Sequence, residues 1–175
     1  MITDLSAICT IPKIRVLSTD YNTIRGLDLS IGPHLANLVA SHNDFTQLLV
    51  APGPIGKPLY MLTLHNVPMQ KSTLDDFALR KLSSLCTLRL NHNSIRSIPD
   101  SIGDLKRLKI LSCTDNKLIA LSSMIGKLQQ LEVLDAHNNS LTELLQGIWS
   151  CPSLRKINVT PNFLASWHDP LVVVV

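Results

Sequence analysis

Four stretches of this chain repeat one order of apolar and polar positions at an interval of 23 residues. They read LCTLRLNHNSI from Leu85, LKILSCTDNKL from Leu108, LEVLDAHNNSL from Leu131 and LRKINVTPNFL from Leu154. In each, two inward residues flank an outward one, as Leu88 and Leu90 flank Arg89, which predicts a short strand with one buried face. An asparagine follows at Asn93, Asn116, Asn139 and Asn162, where the chain turns and a side-chain amide meets backbone groups of neighbouring coils. The return segments repeat as well: Ile98, Ile102 and Leu105 correspond to Leu121, Ile125 and Leu128, then to Leu144, Ile148 and Cys151. A unit of this length cannot bury its apolar side alone, so the pattern predicts stacked coils that share one continuous core.

Weaker copies lie upstream. Asn22 follows inward positions Ile14, Leu17 and Thr19 and precedes Ile24 and Leu27, while Asn43 follows Leu35, Leu38 and Ala40 and precedes Phe45 and Leu48. A degenerate copy, LYMLTLHNVPM, runs from Leu59 to Met69 and has Val67 where the asparagine belongs. The run APGPIGKP at 51–58 predicts a loop that interrupts the array. The segment 70–81, with Leu74, Phe77 and Leu79, predicts a short amphipathic helix on the outer side. In the last two return segments Ser122 and Leu145 stand where Pro99 stands earlier, which places Leu145 partly outward. These features are those of the leucine-rich repeat. The expected fold is an α/β solenoid of about seven coils, a right-handed horseshoe with short parallel strands on its concave face and loops, short helices or 3-10 turns on its convex face. The expected organisation is a lead-in at 1–13, a repeat domain at 14–170 (irregular over 51–81, regular over 82–167) and an apolar tail at 171–175.

Composition narrows the function. The 175 residues are 45% hydrophobic and 17% charged, which fits a packed chain, and the net charge is +3. The densest basic stretch, Lys106, Arg107 and Lys109, sits beside Asp104, unlike the concentrated stripe that nucleic acid requires. Cys9, Cys86, Cys113 and Cys151 are scattered, and the last two occupy inward repeat positions, so a reducing compartment is expected. Neither a signal peptide over Met1–Arg15 nor an 18-residue apolar span is visible, and the expected location is cytoplasmic. The run LVVVV at 171–175 follows the last coil without a polar cap, which predicts a chain that continues or a tail that pairs with something.

Candidate chemistry is thin. His42, His65, His92 and His137 gather near one rim of the concave face, but His65 is offset by one position and no cysteine accompanies them, so exposed rim histidines are expected and no metal. Asp135 and His137 alternate on one strand, with Ser112 and Thr114 on the preceding one, yet an open face without a pocket or oxyanion donors does not support hydrolysis. Gly56-Lys57 and Gly126-Lys127 lack the remaining residues of a phosphate loop. No cofactor is expected. What remains is a polar concave surface of mixed sign. On the first three coils it comprises Ser18, Asp20, Tyr21, Val39, Ser41, His42, Thr63 and His65. On the later coils, where partner contact is expected, it comprises Thr87, Arg89, Asn91, His92, Ser112, Thr114, Asp115, Asp135, His137, Lys156, Asn158 and Thr160. Such a surface suits a polar protein partner better than lipid or nucleic acid.

Two runs are more particular than the repeat itself. SIGDLKRLKILSCTDNKL from Ser101, and IGKLQQLEVLDAHNNSLTEL from Ile125 continuing into IWSCPSLRKINVTPNFLASWHDP from Ile148 to Pro170, resemble the leucine-rich region of fungal adenylate cyclases. The resemblance covers about residues 82–170. It implies a non-catalytic protein-binding segment of cAMP signalling, contacted by a Ras-type small GTPase, with any membrane association made only through a partner. The family's catalytic region would lie after this segment, so no catalytic residue carries over. Pro99 matches the family pattern, whereas Ser122 and Leu145 depart from it. The alternative expectation is a general cytoplasmic leucine-rich scaffold with no GTPase partner.

Overall fold

A computed structural model of the chain describes residues 1–165 apart from 4, 6–7, 9–10, 12, 29–33, 46, 50–58, 69–75 and 145. The expected loop at 51–58, Leu74, Leu145 and the tail at 171–175 therefore lie outside the described residues, as do the side chains of Leu27, Leu48 and Phe77.

Seven three-residue strands form one parallel sheet: β1 (Val16–Ser18), β3 (Asn37–Val39), β5 (Met61–Thr63), β6 (Thr87–Arg89), β7 (Ile110–Ser112), β8 (Val133–Asp135) and β9 (Lys156–Asn158), in that order. Every pair is in register, so Leu17, Leu38, Leu62, Leu88, Leu111, Leu134 and Ile157 form one row across the sheet. A second inward row two residues on runs through Thr19, Ala40, Leu64, Leu90, Cys113, Ala136 and Val159, all buried. Cys113 and Cys151 are core residues, and burial pushes the Cys113 thiol up to about 12. The degenerate coil is a full member of the stack, because β5 pairs with β3 on one side and β6 on the other.

The asparagines fasten each coil to the one before it. Asn116 donates through Nδ2 to Leu90 O of the preceding coil (2.9 Å) and to Cys113 O and Thr114 O of its own, while its Oδ1 accepts the Ile95 N–H at 3.1 Å. Asn139 repeats this with Cys113 O, Ala136 O, His137 O and the Leu118 N–H. Asn43 clamps Thr19 O and the Ile24 N–H, and Asn162 clamps Ala136 O and the Leu141 N–H. Asn22 at the first coil receives the Ile2 N–H at 2.8 Å. The residue before the asparagine turns through positive φ in five coils, at Tyr21, His42, His92, Asp115 and Asn138, and Asn66 does the same before Val67. Such a backbone costs energy for a non-glycine residue and persists where surrounding bonds over-determine it.

Val67 holds the asparagine position by count but acts differently. It is 2% exposed, and its own N–H donates to Asn93 Oδ1 at 2.7 Å, the bond that Ile95, Leu118 and Leu141 make two residues later in their coils. The third coil thus meets the asparagine of the next coil two residues earlier than the later coils do, with Val67 directly after the left-handed Asn66. The Val67 side chain offers coil two no amide.

The outer side changes along the array. The first two coils return through β2 (Gly26–Asp28) and β4 (Gln47–Leu49), which pair in a small parallel sheet. The first of these coils is 21 residues long, from Leu17 to its register partner Leu38, and the second is 24, from Leu38 to Leu62, against 23 in coils four to six. Coil three returns through α1 (Asp76–Lys81), with Ala78 and Leu79 buried, which agrees with the helix expected over 70–81. Coils four to six use 3-10 helices at Asp100–Asp104, Ser123–Lys127 and Gln146–Ser150, which pack on each other in sequence. Ser122, standing where proline stands earlier, caps the second of these by accepting the Met124 N–H at 3.1 Å.

Two substitutions test this framework. Valine fits the asparagine position at 67, so Asn116→Val removes the amide with little change of packing and strands the buried Ile95 N–H. It should lower unfolding stability by about 1–3 kcal/mol with an unchanged denaturant slope, measured by urea titration. At Gly126 an added Cβ would lie 2.3 Å from Gly147 O of the next coil. Gly126→Ala should therefore cost at least about 1–3 kcal/mol through overpacking, whereas Gly26→Ala, with nothing within 4 Å, should change little.

Candidate functional site: the concave face

Strand alternation turns the residues on both sides of the inward row toward the concave surface. The outer positions follow suit: Thr87 is half-buried and Arg89 exposed around the fully buried Leu88. The expected partner-contact residues lie on this face or on the rim where the strands end, but they are not equally available.

Several hold the coils together. Asn91 Oδ1 accepts the Ser112 hydroxyl at 2.8 Å and the Thr114 N–H at 3.1 Å, and Ser112 and Thr114 are only 8% and 4% exposed. Upstream, Asp20 Oδ1 accepts the Ser41 N–H at 2.7 Å, and Ser41 Oγ accepts the His65 N–H at 3.1 Å. A second side-chain ladder therefore runs along the rim beside the asparagines. It includes the junction of coils two and three, where Val67 supplies no amide.

Others form a charged knot. His137 Nδ1 lies 2.9 Å from Asp135 Oδ1 and 3.4 Å from Asn158 Nδ2. A carboxylate only accepts, so the shorter contact places the proton on Nδ1. His137 Nε2 lies 3.7 Å from Asp115 Oδ2, and His92 Nδ1 lies 3.5 Å from the same oxygen. Asn138 Nδ2 donates to Asp115 Oδ1, and this bond holds the Asp115 carboxyl below its usual range, aided by His92 and His137 and opposed by partial desolvation. Asn158 Oδ1 accepts from the Thr160 hydroxyl at 3.1 Å. Arg89 and Lys156 are exposed and make no ion pair among the described residues, and the His92 side chain is 52% exposed.

The rim histidines do not converge. His42 stacks on Tyr21 with ring centroids 4.1 Å apart, and its Nε2 is 3.3 Å from Asn66 Nδ2. His65 and His92 are tilted at 6.5 Å. Among the described residues no group of three His, Cys, Asp or Glu side chains has metal-binding geometry. His65 is held neutral, first by burial and then by repulsion from His92 and Arg89, and its Nε2 is buried without a hydrogen-bond partner.

A reading that lists only polar residues misses half of this face. The position before the inward row carries Val16, Met61, Ile110 and Val133, and Val16 is 63% exposed while the other three are half-buried. The same alternation that places Thr87 and Lys156 outward places these four outward, so the signal was present in the strand period. Hydrophobic residues counted as core by composition conceal it. The concave face is consequently amphipathic, with an apolar stripe along the strand starts and a hydrogen-bonded polar rim along the strand ends.

An open stack of parallel one-strand coils, with a clamping asparagine at every turn but that of Val67, defines the class by its fold, a leucine-rich repeat solenoid. The family model of the leucine rich repeat matches residues 57–118. The chain is similar to the adenylate cyclase of Mycosarcoma maydis, at 32% identity over 109 residues, which is 62% of this chain and 4% of that protein. Among solved structures it is similar to a leucine-rich repeat protein of Leptospira interrogans (26% identity, TM-score 0.64, 87% of this chain) and to InlP of Listeria monocytogenes (25% identity, TM-score 0.73, 89% of this chain). The chain spans 44% of each of those two chains. Its repeats thus resemble a short region of a fungal adenylate cyclase on a fold shared with bacterial repeat proteins. Among the described residues no helix is long and apolar enough to cross a membrane.

His65 gives this face a pH dependence. Its folded pKa lies below the unfolded value, so the unfolded chain binds the extra proton first and stability rises with pH. The contribution is complete above the unfolded histidine value and is lost as pH falls from there through the folded pKa. The Asp115 contribution, from a depressed carboxyl, stays constant over that window. Urea midpoints should fall between pH 7 and pH 5, and His65→Gln should flatten the decline.

Proposed function

We propose that this chain is a non-catalytic, cytoplasmic protein-interaction module of intracellular signalling, which docks a Ras-type small GTPase on the concave face of coils four to seven. The observation that carries the reading is a seven-strand face that leaves Arg89 and Lys156 unpaired beside an apolar stripe while its other charges are tied down. An apolar centre with a polar rim is the anatomy of a protein interface. The partner class follows from the similarity to a fungal adenylate cyclase, whose leucine-rich region is the part that the resemblance associates with Ras contact, and places the module in cAMP signalling. The Asp135–His137 pair supports no catalysis in this reading, because Ser112 is already donating to Asn91 and nothing on the open face stabilises an oxyanion.

Pull-down of the chain on immobilised GTPase should retain it in the GTP-loaded form and less in the GDP-loaded form. Arg89→Glu with Asp135→Lys should weaken retention by about tenfold or more, the size expected of charge reversal in a contact region. No retention in either nucleotide state, or retention indifferent to the double substitution, overturns the GTPase assignment and leaves a general scaffold.

A further inference from the structure

The apolar stripe has a spacing of its own. Val16, Met61, Ile110 and Val133 stand on strands one, three, five and six of the sheet, all at the same register position. Strands lie about 4.8 Å apart, so the four side chains are spaced at about 0, 10, 19 and 24 Å along a line that crosses the strands. An α-helix laid on that line presents residues i, i+7, i+14 and i+17 at about 0, 10.5, 21 and 25.5 Å. The intervening positions on the same line, Asn37 and Thr87, are short and polar, which leaves room between the anchors.

The charged groups around the stripe differ in how far they are already engaged. Glu132 is paired with Lys109 at 3.2 Å, Asp135 with His137, and Asp115 with Asn138 and the two histidines. Arg15, Arg89, Arg155 and Lys156 are exposed and have no ion pair among the described residues. They flank or end the stripe, with Arg15 and Arg155 directly before β1 and β9, Arg89 at the end of β6, and Lys156 in line with the stripe. The charged groups of this face left without a hydrogen-bond or ion-pair partner among the described residues are therefore the cationic ones, while Asp20, Asp115 and Asp135 are hydrogen-bonded within the face.

We infer that the concave face is built to seat an amphipathic helix of the partner, lying across the strands with apolar residues at a seven-residue spacing and carboxylates flanking them. This rests on the concave face being the docking surface and names the chemistry of what docks there. The apolar residues fill the stripe while Asp or Glu side chains reach Arg89 on one flank and Lys156 at the far end. Helix-in-groove recognition of this kind reads periodic anchors along one face. The occupant is a protein helix and not an anionic lipid surface, since a membrane cannot follow an apolar line inside a concave sheet.

A phage-displayed library on a helical-hairpin scaffold, randomised on one helix face, tests this with the intact chain as bait. Enriched helices should carry aliphatic or aromatic residues seven apart, with Asp or Glu beside them. Their binding should drop by at least about tenfold in the Ile110→Lys, Val133→Lys chain and in Arg89→Glu, as for central hot-spot residues. Thr87→Lys, on the same line and already half-exposed, gives the same reading if the double substitution disturbs folding. No enrichment, helices enriched without acidic flanks, or binding that survives all these substitutions overturns the inference. Failure of the GTPase to bind while the acidic helices still do would reject the partner named above and leave the helix-binding face standing.

Discussion

The structure depends on one buried interaction, the clamp of an asparagine amide between successive coils. Each clamp satisfies a carbonyl of the preceding coil and an N–H near its turn, groups that no strand pairing reaches. Three-residue strands make few ladder bonds, so without the clamp every coil would leave buried backbone groups unpaired, at a cost comparable to the whole gain from a lost hydrogen bond per group. The left-handed residue before Asn22, Asn43, Asn93, Asn116 and Asn139 sits in a turn that the clamp holds. Glycines at Gly126 and Gly147 play the matching part on the outer side, where the 3-10 helices approach too closely for any Cβ.

This constraint also decides which concave residues are free to act. Holding the turns in place engages Asn91, Ser112 and Thr114 in bonds between coils, and the Asp115 and Asp135 carboxylates are occupied by Asn138 and His137. The residues left over are the basic ones and the apolar stripe. A rigid scaffold presenting a small number of unsatisfied groups is what a binding face needs, because little ordering entropy remains to be lost on association. The neutral, unpartnered His65 sits between the two side-chain ladders and links the stability of the rim to proton concentration.

Much of this was legible in the chain. The 23-residue register gave the sheet, the inward rows and the ladder from Asn93 to Asn162, because a solenoid repeats its physics with its sequence. The two-strand outer sheet of the first coils was not legible, since no motif marks it and the two coils that carry it differ in length, at 21 and 24 residues. Val67 looked like a missing asparagine and stands at that register position, but which N–H reaches Asn93 Oδ1 was not legible. The concave stripe was hidden for a different reason. Alternation in a three-residue strand offers two outward positions, and valine, isoleucine or methionine at one of them reads as core until the register places it beside an exposed arginine.

Native-state hydrogen exchange is the most direct test of the clamp as the organising interaction. The amides of Ile95, Leu118 and Leu141 lie outside strand pairing and are protected in this account only by the asparagine oxygens of the next coil. They should exchange as slowly as the amides of Leu90 and Cys113 that follow the strands, in one cooperative opening, while Phe45, whose next coil has Val67 at the asparagine position, exchanges faster. Rapid exchange at Ile95, Leu118 and Leu141, or equal protection at Phe45, would contradict the account.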